Sequence, residues 1–514
     1  MKAGQKRFLQ HGIPWGITIL WVGLLWWAGW TNADSTLVYP LDDTYIHLSL
    51  AKNLSQSGSW GLSPGEHQFS SSSPWYTLLM TGGMALFGDQ VSLPLWLNLL
   101  LLPILLLWLP KVFAPSQHLW GTLAMIVLVP LPTLALFGME HLWHVLVVLG
   151  LLAEMRQTNL QEAVPWKLFF WCALSTGFRY ESMFLVGSLS FVFLLQKRPK
   201  AGLGCLIAGL LPILGLGLWS VSQGGTFLPL SVLGKGHSPI IGVGGWLGWI
   251  MAAAQRLYEH PFLLVLLFSL WMPLWHHGLK VRTTAGCMAL VGSLTTLAHV
   301  GFAEVGGLRY EAYLLAIGVF VWFSEDRKAW SPGKLVFAQL MKWLIWGLLL
   351  FPFVMRTAYF SLNYPLAVQN IYHQQIQSAR FLQQHFPKAR VAANDIGAIS
   401  YYTDIQLTDL LGIGDQAVYE LQKAGAYQAD QLHTLTQQRK LTLAVVHPNW
   451  LAPVLPSNWQ ALQTWEIPKN FICAEAKVQW LSIDPAQKDS LIQALEAFSP
   501  QLPPEVLVES RGKP

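Results

Sequence analysis

From residue 13 to residue 355 the sequence is a succession of apolar runs, and the short breaks between them carry most of the charge. A bilayer core about 30 Å thick is crossed by roughly 20 apolar residues in a helix, and backbone that cannot pair with itself is excluded from hydrocarbon. The first run, 13–30, lies behind Lys2, Lys6 and Arg7. A cleaved signal peptide would have the same length and flank, but further runs follow and two carboxylates come almost at once, so a retained helix is expected. Later runs fall at 92–109, 119–137, 141–153, 166–178, 182–195, 202–221, 261–275, 283–303, 309–323 and 335–355. About eleven crossings are therefore expected. With 53% hydrophobic and only 11% charged residues, the chain lacks the polar surface of a soluble protein, and many of its 26 Trp mark membrane depth.

Alternating sides from a cytoplasmic N-terminus places fourteen basic residues inside: the first three, then Lys111, Arg156, Lys167, Lys197, Arg198, Lys200, Lys280, Arg282, Arg327, Lys328 and Lys334. The other side receives five: Lys52, Arg179, Lys235, Arg256 and Arg309. That asymmetry is what the positive-inside rule requires. The net charge of +5 is thus explained by topology, and no nucleic-acid partner is implied. The segments between 141 and 195 are shorter than a full span, so tilted or re-entrant helices are expected there. Residues 74–87 are read as a helix on the outer surface, because a crossing there would invert the charge asymmetry. Cys172, Cys205 and Cys287 lie in apolar runs, leaving Cys473 without an evident disulfide partner.

An odd number of crossings exports the C-terminal region. The expected organisation is a membrane domain over 1–355, including a first outer loop at 31–91, then a soluble extracytoplasmic α/β domain over 356–514. Strand-like runs at 390–393, 441–446 and 477–483 interleave with a helical pattern at 368–385. Asp395 and Asp409 read as turn and cap residues rather than ligands. The domain is expected to cover a site in the membrane part or to help bind an acceptor.

In the first outer loop, Asp42 is expected to cap a helix with Asp43 in its first turn and Ile46, Leu50 and Leu54 on one face, followed by a turn at Gly58. This reads as an amphipathic helix on the membrane. A second helix is expected to start at Ser73-Pro74. Capping alone explains many Asp pairs. Two adjacent carboxylates beside a membrane nevertheless repel unless a proton, a cation or an acceptor hydroxyl mediates, and that is the setting of a general base or metal ligand. Asp42 and Asp43 are the candidate catalytic pair, a divalent cation is the only cofactor they suggest, and His47 lies one turn beyond.

The same parity brings Glu140, His141, Arg179, Glu181, Glu304, Arg309 and Glu311 to the outer ends of apolar runs. An ionised group at a membrane helix centre costs about 2.5–3.5 kcal/mol, so such residues persist where paired, hydrated or functional. Glu140-His141-Leu142-Trp143-His144 has the wrong order and spacing for a zinc-protease helix. Lys235, after the Gly224-Gly225 connection, is a candidate contact for a phosphate or for lipid headgroups.

Taken together, Leu41-Asp42-Asp43-Thr44-Tyr45-Ile46, Gly138-Met139-Glu140, Arg179-Tyr180-Glu181, the segment from Pro229 to Lys235 and Arg309-Tyr310 resemble the GT-C superfamily of polyprenyl-phosphate-dependent glycosyltransferases. Asn394-Asp395-Ile396-Gly397 through Tyr402 and Asp409-Leu410-Leu411-Gly412 resemble its bacterial members. Tyr180 replaces the commoner Pro of that family's Arg-Pro-Glu, and Pro229-Leu230-Ser231 replaces Pro-Asn-Thr. The resemblance implies an inner-membrane, multi-pass hexosyl- or pentosyltransferase that uses a polyprenyl-phosphate sugar. An Asp of the first loop would act as base on a hydroxyl of a glycan, lipid or protein acceptor, with inversion. Arg179, Arg309 and Lys235 would neutralise the departing phosphate, and His47, Glu140, His141, Glu181 and Tyr310 would complete the substrate contacts. The alternative is a transporter or lipid-carrier flippase, in which buried charge would line a path through the bilayer.

Overall fold

A computed structural model describes residues 12–158, 164–235, 245–277, 283–324 and 336–510. The inward basic residues Lys2, Lys6, Arg7, Lys280, Arg282, Arg327, Lys328 and Lys334 lie outside them. Two compact units emerge. One comprises Met1–Leu24, Leu95–Gly215 and Gly236–Leu362; the other comprises Leu25–Pro94, Leu216–Lys235 and Asn363–Pro514.

The first unit is helical. Among the described residues four helices are long and apolar enough to cross a membrane, Ile13–Thr31, Leu93–Val112, Pro199–Ser222 and Thr284–Phe302, and shorter apolar helices include Ser182–Leu195 and Ala312–Phe323. Every expected run is helical, with His141–Gln157 and Trp166–Phe178 filling the uncertain stretch. The run expected at 119–137 is divided into His118–Leu128 and Leu131–Leu136, because Pro130 has no N–H to continue the ladder. The 15-residue helix Gly245–Glu259 was not expected; its apolar stretch, Trp246 to Ala254, is too short to form a span. Leu20, Leu100, Ile104, Leu211, Leu348 and Phe351 remain exposed on these helices, as lipid-facing side chains do.

The second unit is built on a six-stranded sheet in the order β2-β1-β3-β5-β4-β6. Its strands are β1 Arg390–Ala393, β2 Gln406–Asp409, β3 Leu443–Val446, β4 Gln460–Glu466, β5 Lys477–Ser482 and β6 Leu507–Ser510. β1 runs parallel to β2 and β3, whereas β5 pairs antiparallel with β3 and β4, and β4 with β6. One core gathers Ala392, Leu410, Val418, Leu432, Ala444, Val446 and Leu481. Another is aromatic, with the Phe381 ring 4.5 Å from Trp480 and Trp465 stacked on Phe498 at 5.8 Å. The helical pattern expected at 368–385 is present as Tyr364–Ile371, a single π turn at Tyr372–Ile376, and Gln377–His385.

The first loop was expected to belong with the membrane domain on a lipid surface, but it groups with the sheet. Its helix Asp43–Ser57 has Leu48, Leu50 and Ala51 fully buried, so it is an internal helix and not an amphipathic one lying on lipid. Three contacts explain the grouping. Ser63 Oγ accepts the Leu407 N–H at 2.9 Å and so occupies the free edge of β2, Lys52 donates to the Tyr401 carbonyl at 3.1 Å, and Tyr401 donates its hydroxyl hydrogen to Asp89 at 2.7 Å. The segment after Pro229 joins the same unit: Leu230 N–H donates to Phe69 O at 2.7 Å, and Ser231 donates to Ser70 O.

Candidate functional site

The sequence-predicted site residues fall in both units, Glu140, His141, Arg179, Glu181, Arg309 and Tyr310 in the first and Asp42, Asp43, His47 and Lys235 in the second.

In the membrane unit, Gly138 turns the chain with φ +67°, a left-handed value that suits a residue without Cβ, and delivers Met139-Glu140-His141 to the start of the helix His141–Gln157. Asn98 fixes this turn from inside its own apolar helix. Its amide donates to Met139 O at 3.0 Å and to Ala135 O at 3.3 Å, and its oxygen accepts the Trp143 indole N–H at 3.0 Å. Arg179, between helices Trp166–Phe178 and Ser182–Leu195, then meets three of the expected residues. Its Nε donates to Glu181 at 3.0 Å, its Nη2 donates to the other Glu181 oxygen, and its Nη1 donates to Glu140 and, at 3.1 Å, to His141 Nε2. Because Nε2 accepts, His141 is the neutral tautomer with its proton on Nδ1. Arg179 is thus paired with both Glu181 and Glu140.

Arg309 and Tyr310 belong to this group. The Tyr310 ring lies 4.8 Å from the Arg309 guanidinium and 5.7 Å from that of Arg179, while Arg309 donates to the Tyr310 hydroxyl at 3.1 Å and to the Met139 sulfur at 3.0 Å. Arg309 follows three consecutive residues with positive φ, Gly306, Gly307 and Leu308. Leu308, at +66°, has no glycine's freedom, so the turn stores strain that its surroundings must hold. Glu311 holds it. One carboxylate oxygen accepts the Gly306 N–H at 3.0 Å, and the other accepts Arg356 Nε at 2.9 Å and Nη2 at 2.5 Å.

Behind this cluster His144 Nε2 lies 2.7 Å from Ser182 Oγ, and His299 Nδ1 lies 3.0 Å from the Tyr313 hydroxyl. Sequence reasoning missed Asn98, Arg356, His299 and Tyr313. The available signal is a polar side chain inside an apolar run, which the sequence carries at Asn98 and His299.

In the second unit Asp42 and Asp43 take different positions. Asp42 was expected to cap its own helix, but its backbone is already helical at φ −64°, ψ −30°, and its side chain makes no capping bond there. The carboxylate turns outward instead: Oδ2 accepts the Gly397 N–H at 2.6 Å and Oδ1 accepts the Ala398 N–H at 2.8 Å. Burial, reinforced by the negative charge of Asp395, pushes the Asp42 carboxyl up to about 7, against the pull of the two amides. Asp43 occupies the first turn of the helix and is half-buried. His47 is buried between the two loop helices, Nδ1 at 3.3 Å from Thr77 Oγ1 and its ring edge-on to Tyr76. Gly58 ends the first helix in a left-handed turn at φ +71°, as expected. Ser73 precedes Pro74 without a side-chain cap, and Thr77 Oγ1 donates to its carbonyl at 3.2 Å.

Asp409 acts as a turn residue, accepting Leu411 N–H at 2.8 Å and Gly414 N–H at 2.7 Å. Asp395 was expected in the same role but bonds His447 Nε2 at 3.0 Å and the Gln375 amide at 2.5 Å. Cys473 is buried as a free thiol. Among the described residues no group of three His, Cys, Asp or Glu could hold a metal ion, and both Asp42 oxygens are taken by amides. The donor set does not fit a divalent cation on the acidic pair.

Residues 369–484 match a family model described as Domain of unknown function (DUF8728). No curated protein matches the chain. Among solved structures, ArnT from Cupriavidus metallidurans bound to undecaprenyl phosphate aligns over 92% of this chain and 98% of that one, with TM-score 0.50 and 13% identity. The chain has an ArnT-like GT-C fold. The apo form of the same ArnT aligns with TM-score 0.47 at 13% identity over the same shares. In this chain that fold comprises the apolar helices of the first unit and the mixed sheet of the second.

Proposed function

We propose that the chain is an inner-membrane glycosyltransferase that moves a sugar from a polyprenyl-phosphate donor to an acceptor hydroxyl on the extracytoplasmic face. The observation that carries this reading is the likeness, along 92% of the chain, to an ArnT bound to undecaprenyl phosphate. In the membrane unit Glu140, His141, Arg179, Glu181, Arg309 and Tyr310 meet in one cluster, which supports an anion-binding role for that group.

The roles follow from the partners. Arg179 is committed to two carboxylates and orders the cluster. Arg309 lies against the Tyr310 ring beside Arg179, and its planar guanidinium suits a phosphate. Asp43 is the base. It removes the proton from the acceptor hydroxyl as that oxygen bonds to the anomeric carbon, the bond from carbon to phosphate oxygen breaks, and polyprenyl phosphate leaves from the opposite face with inversion.

Purified chain in lipid nanodiscs is to be tested with polyprenyl-phosphate hexoses and pentoses and with glycan, lipid and peptide acceptors. Transfer of label with inverted anomeric configuration supports the reading. Carriage of the intact lipid between leaflets without transfer overturns it in favour of a flippase.

A further inference from the structure

In α/β sheets ligands settle in the crevice beyond the carboxyl ends of the parallel strands. Here those ends belong to β1, β2 and β3, and they lead into Asn394-Asp395-Ile396-Gly397, Leu410 to Gly414, and His447 respectively. The rim is tightly organised. Asn394 Oδ1 accepts the His447 N–H at 2.8 Å, tying the ends of β1 and β3, and Asp395 bonds the His447 ring. His447 Nδ1 lies 3.0 Å from the Lys477 carbonyl, so both ring nitrogens face acceptors and both donate. The imidazolium so formed is offset by Asp395.

The chain itself fills this crevice. Asp42 enters at the end of β1, receiving the Gly397 and Ala398 N–H groups, and Leu62 enters at the end of β2. Two glycines mark the closeness of approach. A Cβ on Gly397 would lie 2.0 Å from the Asp42 carbonyl oxygen, and one on Gly414 would lie 2.5 Å from Leu62 Cδ1. Neither glycine has a positive φ, so the absent side chain serves room and not backbone conformation.

We propose that the α/β domain is a positioning module whose strand-end crevice takes the first loop as a built-in ligand, Asp42 and Gly397 being positioning residues that set the placement of Asp43. The docking half of this statement stands on the contacts alone, and only its effect on turnover rests on the glycosyltransferase reading. The adjacent carboxylates then divide their work: Asp42 holds, Asp43 reacts. Because the contact is made by the domain's own loop ends, the domain is required for catalysis even where it touches no substrate.

The test uses the full chain in nanodiscs, comparing Gly397→Ala with Leu432→Ala, which opens the sheet's core and removes none of the hydrogen bonds to Asp42. Amide hydrogen exchange is followed over 42–57 and 396–402, alongside steady-state transfer. Gly397→Ala is expected to speed exchange in both segments about 10-fold or more while the sheet stays protected. Turnover is expected to fall roughly 10- to 100-fold with donor KM within about 2-fold, because a displaced base costs kcat and not ground-state binding. Leu432→Ala is expected to loosen the sheet and leave turnover per folded molecule unchanged. Wild-type exchange in Gly397→Ala, or an equal turnover loss in Leu432→Ala at the same folded fraction, overturns the proposal. Loosening of both segments by Gly397→Ala in a chain whose wild type transfers no sugar upholds the docking and refutes the glycosyltransferase reading instead.

Discussion

Asp42 accepts the Gly397 N–H at 2.6 Å across 355 residues of sequence. With the Ala398 N–H on its other oxygen, one side chain ties the helix after the first membrane crossing to the turn after β1. A carboxylate in that position is a fixed acceptor, and its neighbour Asp43 is separated from it in function by a single peptide bond.

Replacing Asp42 by Asn puts an amide N–H against one of two backbone N–H groups. Turnover of the Asn variant is expected to fall about 10-fold through loosening of the loop, well short of the loss from removing a base. Kinetics in parallel with hydrogen exchange over 42–57 check this, since the drop must come with faster exchange.

Protonation in the second unit gives a pH dependence of fixed sign. Asp42 and Asp409 are both held up to about 7 by burial, Asp42 facing Asp43, Asp395 and Tyr45, and Asp409 facing Asp415. Between the ordinary carboxylate value and about 7 the unfolded chain has released protons that the folded chain keeps, so stability falls as pH rises through that window. His447 is raised by its bond to Asp395 against the cost of burial, with Glu475 adding to the rise. Its contribution is complete below its ordinary value and is lost as pH rises through the folded one. All three act in one direction. Calorimetry of the chain at pH 5 and pH 8 is expected to show the lower transition temperature at pH 8, with a smaller difference in Asp409→Asn.

Arg356 and Glu311 are both buried, and the pair braces the strained turn before Arg309. Arg356→Met leaves an uncompensated carboxylate and is expected to destabilise the membrane unit by about 3–5 kcal/mol, with much of the loss recovered by adding Glu311→Gln. Chemical unfolding of the single and double variants measures the recovery.

Arg309→Lys retains the charge but loses the planar fork, and kcat/KM for the lipid-phosphate donor is expected to fall roughly 10- to 100-fold with little change in stability. Arg179→Lys is expected to show the reverse emphasis, because Arg179 spans Glu140, Glu181 and His141. Donor titrations and unfolding curves separate the two.

The membrane helices were legible because hydrocarbon permits few alternatives, and a run such as 182–195 coincides with its helix. Arg179, Glu140 and Arg309 could be grouped because charge at the ends of apolar runs has to be paired or used. Asp42 was misread for a physical reason: an Asp before a helix fits a cap locally, and only the fold reveals two amides offered 355 and 356 residues away. β2 and β6 were missed because four-residue strands lack a periodicity that distinguishes them from loops, β6 being exposed along its whole length, and β4 because Leu462 to Trp465 are buried consecutively, without alternation. The π turn at Tyr372–Ile376 leaves no mark in the hydrophobic pattern either.

The most direct test compares the wild-type chain with Asp43→Asn in a defined transfer assay with a polyprenyl-phosphate sugar, each checked for native hydrogen exchange over 42–57. The account predicts inverting transfer by the wild type and a loss of about 10²- to 10⁴-fold in the variant at unchanged exchange. Wild-type transfer by Asp43→Asn would contradict it.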